Sequence, residues 1–272
     1  MWHMALPITF LSDYGTADEF AGVVRAVILR LCPDARIVDL SQGVPRQDVA
    51  AGARMLVRAL PFCAAGVHLA VVDPEVGARR RAVALRCAED DRLLVGPDNG
   101  LLVPAAERFG GVAEAVELSA SPWRLEPVSS TFHGRDLFAP VAARLAAGEA
   151  LGDAGTPLEP DELVRVELSH ARFEDGGLVA RVIGVDAFGN LALDAGHGDL
   201  DLTELKVGAP FSVRTEGRRA TGVRALTFAD VRSGALLLYE DSSGSLALAV
   251  NGGDASRLLG IGRGTEVRVE PA

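Results

Sequence analysis

His133 lies in the run TFHGRD (131–136), between a strand-like VSSTF and a helix-like LFAPVAARLAAG, where the backbone turns and an imidazole can face a crevice. Such a ring holds or moves protons near neutral pH, and the alternative is a structural histidine. Asp73 closes a second strand-like run in VVDPEVGARRR, ahead of a Pro and Gly turn and of Arg79, Arg80 and Arg81. One arginine folding back on Asp73 would fix both side chains and set a permanent positive charge beside the crevice; a plain cationic surface turn is the other reading. In SDYGTADEF, Asp13 stands at a strand end, where an acid can grip a ribose diol by two hydrogen bonds, and Asp18 reads as an acid near a helix start. GPDNG is a turn signature that leaves Asp98 and Asn99 at another strand end, as structural residues or as crevice contacts.

The elements that must position these groups follow from periodicity. ALPITFLSD, IVDLS, VHLAVVDP, RAVALRC and RLLVG read as strands, and DEFAGVVRAVILRL, QDVAAGARMLVRAL, LLVPAAERFG and LFAPVAARLAAG as helices. Alternation of this kind predicts an α/β N-terminal domain over residues 1–150 with a largely parallel sheet, and ligands bind beyond the carboxyl ends of such strands. EALGDAGTPLEPDEL is rich in Gly, Pro and acid, so 151–162 reads as a linker. Over 163–272 come short runs, VRVEL, LVARVIGV, NLALD, FSVRT, ALLLYE, LALAV and EVRVE, with no convincing helix; they predict a smaller all-β, barrel-like or sandwich domain.

Composition narrows the function classes. The net charge of −10 without a basic run argues against nucleic acid as a partner, and no apolar run is long enough to span a bilayer, which argues against a membrane. Arginine serves nearly everywhere, Lys206 being the one lysine, which reads as compositional bias. Cys32, Cys63 and Cys87 form no CxxC pair and are odd in number, so reduced, buried thiols and a cytoplasmic location are expected; MWHMALPITF likewise has no cationic leader with a long apolar stretch. GxxxxGK[ST], a complete GxGxxG, HExxH and GxSxG are all absent, against a Walker-type NTPase, a simple dinucleotide dehydrogenase, a zincin and an α/β-hydrolase. His133 with Asp136 could supply two metal ligands, but His68, His170 and His197 offer no second pair.

Taken in order, ITFLSDYGTADEFAG, VVDPEVGARRR, VGPDNGLL, STFHGRDLFAPVAA, VDAFGN and SLALAVNGG resemble the S-adenosyl-L-methionine (SAM) hydroxide adenosyltransferase family, adenosine-forming SAM hydrolases related to the fluorinase and chlorinase. The resemblance implies a homotrimer whose SAM site lies between one subunit's N-terminal domain and its neighbour's C-terminal domain. It implies attack of water or hydroxide on C5′ of SAM, with no metal or cofactor, and a water-handling triad at Asp73, Arg80 and His133. It places the ribose acid at Asp13, a methionine-side acid at Asp186, an adenine-contacting amide at Asn190, and a ligand-bordering loop from Ser242 to Asn251. Asn99 joins the substrate contacts from its place at the crevice. Two departures stand out: Glu75 where a small residue is expected, and Ser243 where the fluorinase has an arginine for the methionine carboxylate. A SAM- or adenosine-binding protein without turnover, and a metal-dependent nucleotide phosphohydrolase built on Asp73, Asp98, His133 and Asp136, are the competing readings.

Overall fold

The computed structural model describes residues 4–203 and 205–272; the first three residues of the leader reading and Glu204 lie outside them. The chain divides after Leu168 into two compact units.

In the first unit, strands β1 (Ile8–Ser12), β2 (Ile37–Ser41), β3 (Val67–Val71), β4 (Ala82–Cys87), β5 (Leu93–Pro97), β6 (Val112–Glu117) and β7 (Thr156–Leu158) form one sheet in the order β2-β1-β3-β5-β4-β6-β7. The strands β2, β1, β3 and β5 run parallel, as the strand–helix alternation predicts. Between β4 and β5 only residues 88–92 intervene, too few for a crossover helix, so these two pair antiparallel. Strands β6 and β7 continue antiparallel, which brings part of the expected linker 151–162 into this sheet.

Helices α1 (Phe20–Leu31), α2 (Val49–Ala59), α3 (Val103–Glu107) and α4 (Ala139–Ala146) cover the two faces. Alternation along β1 decides which face each residue serves: Ile8 and Phe10 pack with Val24, Ile28 and α4, whereas Leu11 packs with Ala53 and Leu56 of α2. Asp48 caps α2 by accepting from the Ala51 backbone N–H at 2.8 Å, and Asp18 accepts from the Phe20 N–H at 3.3 Å ahead of α1. VRVEL forms no strand. Its apolar residues Val166 and Leu168 pack on the second core face instead, and Val164 donates its N–H to Asp98 Oδ1 at 2.8 Å.

The second unit holds β8 (Arg172–Glu174), β9 (Gly177–Val185), β10 (Leu191–Gly196), β11 (Pro210–Thr215), β12 (Arg218–Arg224), β13 (Leu236–Glu240), β14 (Ser245–Val250) and β15 (Glu266–Pro271). Seven of them close in the order β10-β14-β13-β12-β11-β15-β9 and back to β10, with β8 added outside β9. Closure leaves alternate residues inside: Leu178, Ala180 and Val182 of β9 meet Leu246 and Leu248 of β14 and Val267 and Val269 of β15. Two five-residue helices, α5 (His197–Asp201) and α6 (Ala255–Leu259), complete it.

Cys32 and Cys87 are buried, as expected; Cys63 is half-buried, its thiol donating to the Ala59 carbonyl at 3.3 Å, and all three are free. Among the described residues no helix is long and apolar enough to cross a membrane.

Candidate active site

Asp73 follows β3 at its carboxyl end, and Arg80 precedes β4. The turn between them is tied by Val76 N–H to Asp73 O at 3.4 Å and Ala78 N–H to Glu75 O at 3.0 Å, with Glu75 itself exposed. A side chain at Gly77 (φ +79°) would place its Cβ 2.2 Å from the Ser130 carbonyl, so glycine is what lets this turn lie against the segment leading to His133. Arg80 then folds back on Asp73: Nε donates to Oδ1 at 2.9 Å and to Oδ2 at 3.1 Å, while Nη2 pairs with Oδ2. Only 3% of the Arg80 side chain and 6% of Asp73 reach solvent, and the guanidinium lies over the Phe138 ring at 5.4 Å.

Nη2 of Arg80 also lies 2.9 Å from Nδ1 of His133. A guanidinium only donates, so Nδ1 accepts and the neutral ring carries its proton on Nε2. Burial, and then the Arg80 charge, hold the His133 pKa below its usual value against the opposing pull of Asp73 and Asp136. His133 is thus a neutral ring with a fixed tautomer.

A single wide, π-type turn, Gly134–Phe138, carries His133 into α4. Pro140 has no N–H to give the Asp136 carbonyl, which instead accepts from Leu125 N–H at 2.7 Å. The Asp136 carboxylate accepts from Arg135 Nε at 2.6 Å, from Arg135 Nη2 at 2.8 Å and from the Ser129 N–H at 2.8 Å. Burial acts to raise its pKa, and these hydrogen bonds hold it below the usual carboxylate range. Asp136 therefore ties the 129–136 loop.

Asp13 follows β1, and its Oδ2 accepts from the Gln47 N–H at 2.8 Å. Asn99 bridges two strand ends, its Nδ2 donating to the Val72 carbonyl at 2.9 Å and its Oδ1 accepting from the Leu101 N–H at 3.2 Å. Asp98 is buried, held by Arg81 Nε at 2.8 Å and by Val164. The carboxylates of the metal reading, Asp73, Asp98 and Asp136, are thus each paired with an arginine. Among the described residues no group of three or more His, Cys, Asp or Glu side chains could hold a metal ion.

In the second unit, Asp186 and Asn190 share the turn joining β9 to β10. Asp186 Oδ1 accepts from the Phe188 N–H at 2.8 Å and the Asn190 N–H at 2.9 Å, and Oδ2 accepts from Asn190 Nδ2 at 2.8 Å. They line a cleft of about 520 Å³ with Phe188, Phe228, Val250, Gly252 and Gly253. Phe188 is 78% exposed, an aromatic the sequence reading did not single out because only burial distinguishes it from a core residue. The stretch expected as a bordering loop is mostly β14: Ser242 lies exposed in the hairpin ahead of it, and Asn251 follows its far end, where Nδ2 donates to the Val231 carbonyl at 2.8 Å. Ser243 donates its N–H to Asp241 Oδ1 at 2.7 Å.

An acid–arginine pair with little exposed surface, in contact with a half-buried neutral histidine beyond the carboxyl end of β3, is an arrangement of the kind that serves small-molecule chemistry. Comparison with known proteins agrees. Residues 8–155 match the SAM hydroxide adenosyltransferase N-terminal domain and 180–268 its C-terminal domain. A Salinispora tropica relative named (R)-S-adenosyl-L-methionine hydrolase is 50% identical over 96% of this chain and 97% of its own. A Thermus thermophilus relative of the same name is 37% identical over 97% and 99%. The crystal structure of an uncharacterized conserved protein from Thermotoga maritima superposes with a TM-score of 0.89 at 36% identity, covering 97% of this chain and 99% of that one. The chain belongs to the SAM hydroxide adenosyltransferase family.

Proposed function

We propose that this protein hydrolyses SAM to adenosine and L-methionine. The oxygen of water or hydroxide bonds to C5′ as the C5′–S bond breaks, its electron pair goes to sulfur, and one proton is released to solvent. The leaving group is a neutral thioether, so the reaction needs neither a general acid nor a metal or cofactor. What supports this reading above all is the contact of the Asp73–Arg80 pair with His133 in a chain whose relatives carry the hydrolase name.

The difficulty lies with the nucleophile. The fixed Arg80 charge and the Nε2–H of His133 hold the attacking oxygen and favour its hydroxide form, while Asp73 orients Arg80 and offsets its charge. Because Nδ1 already accepts from Arg80, His133 acts on the attacking oxygen by donation from Nε2. Charge is annihilated as hydroxide meets sulfonium, so a dry pocket accelerates the step, and alignment of oxygen, C5′ and sulfur supplies several kcal/mol more, within the ~7–11 kcal/mol reached by well-oriented reactions.

Asp13 binds the ribose diol and Asn99 offers the crevice its remaining amide N–H. On the barrel, Asp186, Asn190, Ser242 and Asn251 contact the adenine and methionine ends. Residues 1–150 carry the water-handling and ribose groups and 163–272 the remaining contacts, joined through 151–162. The working form is a cytoplasmic homotrimer, each site completed by a neighbouring copy's barrel. The substrate is the (R) sulfonium epimer, after the name that the Salinispora and Thermus relatives carry. The test is to supply each epimer separately to wild type and His133→Ala: adenosine forming faster from (R)-SAM, and far more slowly in the variant, is expected. Equal rates in wild type and variant would remove His133 from the mechanism.

A further inference from the structure

The Tyr14 hydroxyl has no assigned role, and it sits beside the constellation. Tyr14 follows Asp13 at the end of β1, and its ring packs edge-on against Phe10 at 6.3 Å and Phe132 at 5.9 Å and tilted against Phe20 at 6.0 Å. This aromatic cage leaves the ring little freedom and aims the phenol at the His133–Gly134 turn. A Cβ on Gly134 would lie 2.1 Å from Tyr14 Oη, so the hydroxyl occupies the space a side chain at 134 would take, next to His133 in sequence. Among the described residues no hydrogen bond is made to that hydroxyl, and it is not sealed from solvent, Tyr14 being half-buried, so it is open to a water or ligand oxygen. Burial, with Asp13 and Asp73 adding to it and Arg80 opposing, raises its pKa, so the phenol stays protonated and able to donate.

We propose that Tyr14 Oη is a hydrogen-bond partner of the attacking water or hydroxide, a catalytic contact additional to Arg80 and His133. The proposal rests on the hydrolase reading above. To a hydroxide the phenol and the His133 Nε2–H both donate and the third lone pair stays free for C5′; with water, which has two lone pairs, Tyr14 Oη accepts one of the water protons and a lone pair again stays free for C5′. Gly134 is the residue that makes room for this, and the three phenyl rings are what hold the phenol there.

Tyr14→Phe removes only the hydroxyl and keeps the ring in its cage. The expected result is a single-turnover rate of adenosine release lower by about tenfold, the worth of one hydrogen bond made at the transition state, with the SAM dissociation constant within about twofold of wild type and the melting temperature retained. An unchanged rate in Tyr14→Phe, with wild type active, would overturn the proposal and leave the hydrolase reading standing. A slower rate explained wholly by weaker SAM binding or a lowered melting temperature would also overturn it, since the hydroxyl would then act on packing. Wild type releasing no adenosine would instead sink the hydrolase reading and the proposal with it.

Discussion

Arg80 Nη2 and His133 Nδ1 lie 2.9 Å apart, fifty-three residues distant in sequence, and that contact fixes the tautomer of the ring, while burial and then the Arg80 charge favour its neutral form. The neutral form keeps a proton on Nε2 to donate, beside a permanent cation.

The pH dependence follows from this. With the His133 pKa lowered by burial and by Arg80, acidification protonates the ring only below the usual histidine value, so the acid limb of kcat/KM should lie below that of an ordinary histidine. In Arg80→Gln the residual activity should show its acid limb at higher pH, because one of the two lowering influences is gone while Asp73 remains. A pH–rate series on the two proteins checks this; an acid limb at the same or lower pH in the variant would contradict it.

Gly77 is expected to be as sensitive as the triad itself. Ala there meets the Ser130 carbonyl and must adopt a positive φ, so Gly77→Ala should cost roughly 1–3 kcal/mol of stability and reduce turnover by more than tenfold through a displaced Arg80. Denaturant melts and turnover measured on one preparation separate the two effects. Wild-type values in both would mean the turn is not held as described.

Asp186 supports its turn by accepting three hydrogen bonds, so Asp186→Ala should loosen Phe188 and Asn190 and weaken adenosine binding by about tenfold, while leaving the Asp73–Arg80–His133 arrangement in place. Calorimetric titration with adenosine measures it. Unchanged affinity would take the β9–β10 turn out of the ligand site.

A stability switch sits elsewhere in the first unit. His68 is 1% exposed, with Nδ1 bonded to Thr9 Oγ1 at 2.8 Å and Nε2 3.2 Å from Arg92 Nη1. Burial and then Arg92 push its pKa down to about 4. Since the unfolded chain has a histidine value near ~6.5, the folded state binds fewer protons between the two, and stability is complete above that value and lost as pH falls toward 4, by up to roughly 3 kcal/mol. Urea midpoints across this window should slope less in His68→Gln than in wild type; identical slopes would place the pH sensitivity elsewhere.

Much of this was legible in the sequence where apolar periodicity is strong. The first three strands and the long helices α1 and α2 follow from it, because their buried residues recur at spacings that only one element type satisfies. Strands β6 and β12 were hidden because VAEAVE and RRATGVR are too polar to alternate cleanly, and VRVEL deceived because its apolar residues pack without a ladder. Asp73, Arg80 and His133 were each nameable, but three neighbouring arginines look alike in a sequence; only the turn at Gly77 determines that Arg80 reaches both partners. The Tyr14–Gly134 contact, which depends on an absent side chain, leaves no signal in the pattern at all.

The most direct test is to incubate chelator-treated protein with SAM, with and without chloride, and separate the products. Adenosine and methionine in equal amounts, unaffected by chloride and greatly reduced in His133→Ala, are the result this account predicts. Unchanged SAM, or activity that returns only with added metal, would contradict it.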